Sequence, residues 1–150
     1  MTRVVVDASV LLASLIADGL TRGLLLNSRE LELYAPEVVT SEVQKHLPMV
    51  AARTWKSREI VEALLTDILA RVEVVPTTVF ASALPSARRR TAAAHAHHDE
   101  AYVALAEVLS APIWAYDKDF RRVRGLRVLS ISEVGRLIDR ASKVLPGSEV

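Results

Sequence analysis

Two rhythms of apolar and polar positions run along the chain. "RVVVDAS" is a β-branched run that stops at Asp7, and "LELYAP", "VEVVP", "PIWAY" and "LRVLS" are further short apolar runs bounded by turn residues. Each reads as a strand. Between them the spacing changes to that of helices. "SVLLASLIADG" reads as a helix with Ser9 as its N-cap and Gly19 as its stop, and "TRGLLLNS" as a second, shorter one. "PEVVTSEVQKHL" opens on a proline and places Val38, Val39, Val43 and Leu47 at helical intervals. "SREIVEALLTDILARV" opens on Ser57 and repeats apolar side chains at Ile60, Leu64, Leu65, Ile68 and Leu69.

In "TVFASALPSARRRTAAAHAH" the proline Pro85 predicts a kink or an end to a helix begun near Thr78. "DEAYVALAEVLS" and "SEVGRLIDRAS" read as helices, "DKDFRRV" as a turn or short helix, and "LPGSEV" as a frayed tail. Strands alternating with helices predict an α/β fold: one domain over residues 1–145, a mostly parallel central sheet flanked by helices on both faces, and a flexible tail at 146–150. No internal repeat or linker divides it.

Composition narrows the chemistry. A chain of 150 residues that is 51% apolar buries about 70% of its unfolded surface and sustains a core without staples. The absence of cysteine excludes disulfide scaffolds and thiolate metal sites, and fits a reducing, cytoplasmic setting. "VVVDASVLLASLIA" is interrupted by Asp7 and falls short of the ~20 residues that span a bilayer. The net charge of +1 advertises no polyanion partner, but its distribution is uneven. Residues 1–85 carry eight Lys/Arg against ten Asp/Glu, and residues 86–127 carry eight against five. A polyanion is expected to prefer the second region.

Asp7 and Asp117 fall at the carboxyl ends of predicted strands, where open parallel sheets form their sites. Asp99 opens the helix leading into "IWAY", and Glu42 lies in the first turns of the helix after the second strand, so both are expected at the same edge. Two unit charges ~5 Å apart at an effective dielectric of ~20 repel by roughly 3 kcal/mol, more than ~2 pKa units per pair. Helix N-termini offset only ~0.3–1 kcal/mol each. An all-oxygen donor set without cysteine suits a hard divalent cation, Mg²⁺ or Mn²⁺. Such ions activate water and clamp a phosphoryl oxygen during in-line displacement. No Ser–His–Asp or Cys–His arrangement and no Gly-rich phosphate loop is evident.

Here the residues match a family. From "VVVDASVLLASL" through "APEVVTSEVQKHL" to "HDEAYVALAEVLSAPIWAYDKDF" the chain resembles the PIN-domain ribonucleases, which include the VapC-type toxins of toxin–antitoxin pairs. The pattern is an Asp ending the first strand, an acid in the following helical layer, an Asp three residues before an aromatic and an "ALA" run, and an Asp after a later strand. The resemblance carries Asp7, Glu42, Asp99 and Asp117 over as catalytic and metal-holding residues. Asp119 stands beside them as a further metal candidate, and Glu100 beside Asp99 leaves the ligand set open. It also implies Mg²⁺- or Mn²⁺-dependent hydrolysis of single-stranded RNA, a homodimer and a small antitoxin partner. Many members have Thr or Ser two residues before the last Asp, where this chain has Ala115.

Other readings compete. Asp7, Asp117 and Asp119 suit turns, Glu42 a solvated helix face, and Asp99 an N-cap. His95, His97 and His98 are not spaced for zinc and read as a solvated loop, with RNA contact as an alternative. His46 reads as a surface residue or as a group orienting Glu42. "ARRR" at Arg88–Arg90 and "RRVRGLR" at Arg121–Arg127 are either charged faces or phosphate contacts. Trp114 and Tyr116 read as packing residues, and the stripe at 59–69 as core or a partner groove. An aspartyl-phosphate phosphotransferase needs a second acid two residues after the first, where Ser9 stands. The remaining alternative is a catalytically weak or inactive PIN-like module that binds RNA or supports assembly.

Overall fold

Thr2, Arg3 and three consecutive β-branched valines build the central strand, β1 (Thr2–Val6). Val4, Val5 and Val6 are all fully buried. Successive strand side chains point to opposite faces, so both faces of the sheet are covered. The computed structural model describes residues 2–17, 19–95 and 99–144. Among these, β2 (Leu31–Pro36), β3 (Val72–Val75), β4 (Ile113–Trp114) and β5 (Val128–Leu129) complete an all-parallel sheet in the order β3-β2-β1-β4-β5. The α/β expectation therefore holds.

The register positions the site. Val6 pairs with Trp114 and the Asp7 N–H donates to the Trp114 carbonyl at 3.0 Å, so β1 and β4 end side by side. The chain steps outward from β1 through β2 to β3, then crosses back to lay β4 on the other flank of β1. A crevice opens where strand order reverses in this way.

The helices are α1 (Ala8–Ile16), α2 (Leu20–Asn27), α3 (Val38–Lys45), α4 (Leu47–Thr54), α5 (Arg58–Leu69), α6 (Thr77–Phe80), α7 (Leu84–Ala93), α8 (Glu100–Leu109) and α9 (Ile131–Val144). Short 3-10 turns cover Ala81–Ala83 and Lys118–Arg122. Helix α8 packs across β1, β2 and β4. Trp114, Tyr102, Phe80 and Phe120 are the bulkiest fully buried side chains, which bears out Trp114 as a packing residue. No single helix among the described residues is long and apolar enough to cross a membrane.

Several boundaries differ from expectation. The N-cap of α1 is Asp7, not Ser9, and Gly19 caps the start of α2 instead of stopping α1, which ends at Ile16. The helix expected through Leu47 ends at Lys45, and a separate helix, α4, follows. Pro48 explains the break: it fits the first turn of α4 but cannot sit inside a continuing helix. The helix begun at Thr77 does break before Pro85, as expected: α6 ends at Phe80, a 3-10 turn follows, and Pro85 lies in the first turn of a new helix, α7. In α5 Ser57 caps as predicted, its hydroxyl accepting from the Ile60 N–H at 3.2 Å. The face it buries is Val61, Leu65 and Ile68, and Ile60 is exposed. The tail expected at 146–150 and residues His97 and His98 lie outside the described residues.

Candidate metal centre at the ends of β1 and β4

Asp7 leaves β1 already buried, with 5% of its surface exposed. Its Oδ2 accepts from the Ser9 N–H at 3.2 Å and from the Ser9 hydroxyl at 2.6 Å, which caps α1. Burial nonetheless raises its pKa, the Ser9 bonds oppose the shift, and the charge of Asp117 adds to it. Ser9 Oγ also accepts the Tyr116 N–H at 3.1 Å. One hydroxyl thus ties the end of β1 to the segment leaving β4. Ala115, buried beside it, has no hydroxyl to offer.

Asp99 occupies the N-cap position of α8, yet its side chain makes no capping hydrogen bond. The capping explanation for this acid therefore fails. Its carboxyl is half-buried and its pKa is pushed up to about 7, first by desolvation and then by the charges of Asp7, Asp117, Asp119 and Glu42. Five carboxyl groups from four separate parts of the sequence thus share one field. Glu42, on α3, accepts the Tyr102 hydroxyl at 2.9 Å. Tyr102 is fully buried on α8, edge-on to Phe120 with ring centroids 6.0 Å apart. Burial, then the charges of Asp7 and Glu42, hold its hydroxyl far above the ordinary phenol range, so it stays a proton donor.

Asp117 is exposed and caps the 3-10 turn, its Oδ1 accepting the Asp119 N–H at 3.0 Å. Asp119 also pairs with Arg122 at 3.5 Å. Beside Asp99, Oε2 of Glu100 is buried without a hydrogen-bond partner among the described residues. Among the described residues, no three Asp, Glu or His side chains stand close enough together to hold one ion. The expected convergence is therefore only partial: the acids share a field without forming a three-ligand group among the described residues. His46 is exposed at the end of α3, as a surface reading expects.

The donor chemistry fits a hard divalent cation. Every candidate atom is a carboxylate oxygen, Asp99 carries the repulsion of four other acids, and Glu100 Oε2 is buried without a partner among the described residues. Two orienting residues escaped the sequence. In the sequence Ser9 reads as a helix cap, although a hydroxyl two residues after an Asp is also the spacing at which it can bond that carboxylate. Tyr102 stands in the sequence only as a family landmark, although three residues along a helix places it on the face of Asp99.

The family model described as PIN domain matches residues 5–138. The chain belongs to the PIN-domain family. Among solved structures, the PIN domain resembles a chain of VapBC2 from Rickettsia felis bound to a DNA fragment from their promoter. The TM-score is 0.63 at 15% identity, over 86% of this chain and 98% of that one. At that identity the likeness speaks for the fold. A comparison with curated proteins finds no match.

Proposed function

We propose that this PIN domain is a Mg²⁺- or Mn²⁺-dependent endoribonuclease that hydrolyses phosphodiesters of single-stranded RNA. The observation that carries the reading is Asp99, an acid that caps nothing and whose carboxyl is pushed up to about 7 by burial and four other acids. Such crowding is costly for a fold and useful to a cation site. Asp7, Glu42, Asp99 and Asp117 would hold the ion, with Asp119 as an additional ligand. When bound, the ion makes water a competent nucleophile near neutral pH and offsets charge developing on the phosphoryl oxygens. The chain's own part is orientation: Ser9 fixes Asp7, and Tyr102 fixes Glu42. Family membership supports nuclease chemistry, and the VapBC2 likeness makes a cytoplasmic toxin role, with a homodimer and a small antitoxin, the setting to test.

Asp7→Asn keeps the α1 cap, because Asn caps as well as Asp. Changes in groups behind the ligands cost about 10–100-fold in activity, so Asp7→Asn and Asp99→Asn are expected to lower RNA cleavage by at least about 100-fold. Chelation is expected to stop cleavage and Mn²⁺ to restore it. Cleavage that survives both substitutions and chelation removes the mechanism. The spread of the acids favours one second reading, a weak or inactive module that binds RNA. RNA binding without turnover in Mn²⁺ would select it.

A further inference from the structure

The two arginine runs lie some thirty residues apart in sequence, and the fold brings them together. The Arg90 guanidinium on α7 donates from Nε at 3.0 Å and Nη2 at 2.7 Å to the Arg124 carbonyl, pinning α7 to the segment after the second 3-10 turn. Gly125 follows with φ +77°, a left-handed conformation that suits glycine. A cleft of about 350 Å³ opens at this junction, lined by Arg89, Arg90, Arg122 and Arg124 with Ala93 and Ala94. Four guanidinium groups around one small cleft repel one another.

Little in the protein offsets them. Glu107 approaches Arg90 at 3.8 Å and Asp119 pairs with Arg122 at 3.5 Å. Among the described residues Arg89 and Arg124 make no ion pair, and both are exposed. The cleft touches the acid cluster at one point. Asp119, which pairs with the cleft's Arg122, is one of the acids pressing on Asp99. Arg90 pairs instead with Glu107, near the opposite end of α8 from Asp99, so the basic residues reach from beside the acids toward the far end of that helix.

That adjacency answers a problem the acids create. A group of carboxylates repels a polyanion, so affinity for the substrate must come from outside the cluster. We propose that the cleft lined by Arg89, Arg90, Arg122 and Arg124 is a phosphate-backbone subsite that holds single-stranded RNA to one side of the cleavage point. The proposal rests on the nuclease reading for its substrate. Arginine is the side chain for this task, because its planar fork meets phosphate oxygens in pairs. Arg90 fixes the shape of the cleft, and Arg89 and Arg124 present free donors to the strand.

The test measures binding apart from cleavage. A fluorescent 12-nucleotide single-stranded RNA is titrated in Mg²⁺ with the Asp7→Asn chain, and again in an Asp99→Asn background, by anisotropy. Arg89→Gln/Arg124→Gln is added to each; Arg122 is left intact because it touches Asp119. The expected result is a Kd raised about tenfold or more. The slope of log K against log salt should flatten by about 1.4, at ~0.7 per phosphate contact for single strands. The control Arg53→Gln/Arg58→Gln removes the same charge from exposed positions on α4 and α5 and should leave Kd within about twofold.

Unchanged binding in the Arg89/Arg124 variant, equal loss in the control, or no RNA binding by either parent overturns the proposal. So does a ten-residue polyglutamate peptide that displaces the RNA and itself depends on Arg89 and Arg124, which would assign the cleft to an acidic protein segment. Failure of the nuclease reading looks different: the unsubstituted chain would not cleave in Mn²⁺, while RNA binding still depended on the two arginines.

Discussion

Between its ordinary value of 3.8 and about 7, Asp99 keeps a proton in the folded chain that it has already lost in the unfolded one. Folded protein then binds more protons than unfolded protein, and stability must fall as pH rises through that interval. Asp7, also raised, acts in the same direction. Thermal unfolding in chelator should therefore give a Tm that drops from pH 5 to pH 8. Asp99→Asn should flatten the drop and raise the Tm at pH 8, even as cleavage is lost. Mn²⁺ should raise the Tm more at pH 8 than at pH 5, because the ion favours the charged form. Solvent screens the half-buried carboxyl, so the effect is moderate. A Tm in chelator that climbs steadily through this interval would contradict the crowded-acid description. The place of Asp7 was legible because an Asp closing a β-branched run leaves few places for its side chain. Ser9 was not, because a hydroxyl near a helix start has an equal claim as a cap.

At the scale of elements, Tyr102 couples α8 to α3 through the Glu42 bond at 2.9 Å. Glu42 is one turn into α3, and that hydroxyl is one of the groups that fix its carboxylate. Tyr102→Phe keeps the ring packed on Phe120 and should change stability by no more than about 1.5 kcal/mol. It should weaken Mn²⁺ affinity by about 10–100-fold. A Mn²⁺ titration followed by RNA cleavage measures this, with saturating Mn²⁺ expected to recover most of the activity. Activity that Mn²⁺ cannot recover would mean Tyr102 serves the core and not Glu42. The strand and helix rhythms located nearly every element on the sequence, but not α4. Proline carries two opposite meanings, helix breaker and first-turn residue, and only the packing around Pro48 and Pro85 decides between them. The arginine runs were ambiguous for a related reason: charge on each run is visible in sequence, but their meeting through Arg90 and the Arg124 carbonyl is not.

For the molecule as a whole, the sheet is unequal on the two sides of the crevice. β1 and β2 pair through four residues each, as do β2 and β3, whereas β4 is joined to β1 and to β5 through two. Asp7 therefore stands on the firm half and Asp117 beyond the lightly held half. Short pairings open at low free energy, so in the metal-free chain residues 113–122 should exchange their amide hydrogens faster than β1 and β2. An ion held by Asp7 and Asp117 together would stitch the two halves, adding to the bond from the Tyr116 N–H to Ser9. A ligand at 100 times its Kd stabilises the state that binds it by about 2.7 kcal/mol, close to a hundredfold in population. Hydrogen exchange read by mass spectrometry should show Mg²⁺ slowing residues 113–122 by up to that factor, with β2 and β3 little changed. In Asp7→Asn the slowing should largely vanish, because one side of the bridge is gone. If these amides exchange equally fast with and without Mg²⁺ at a concentration that supports cleavage, Asp117 does not hold the ion, and the catalytic set must be redrawn around Asp99 and its immediate neighbours.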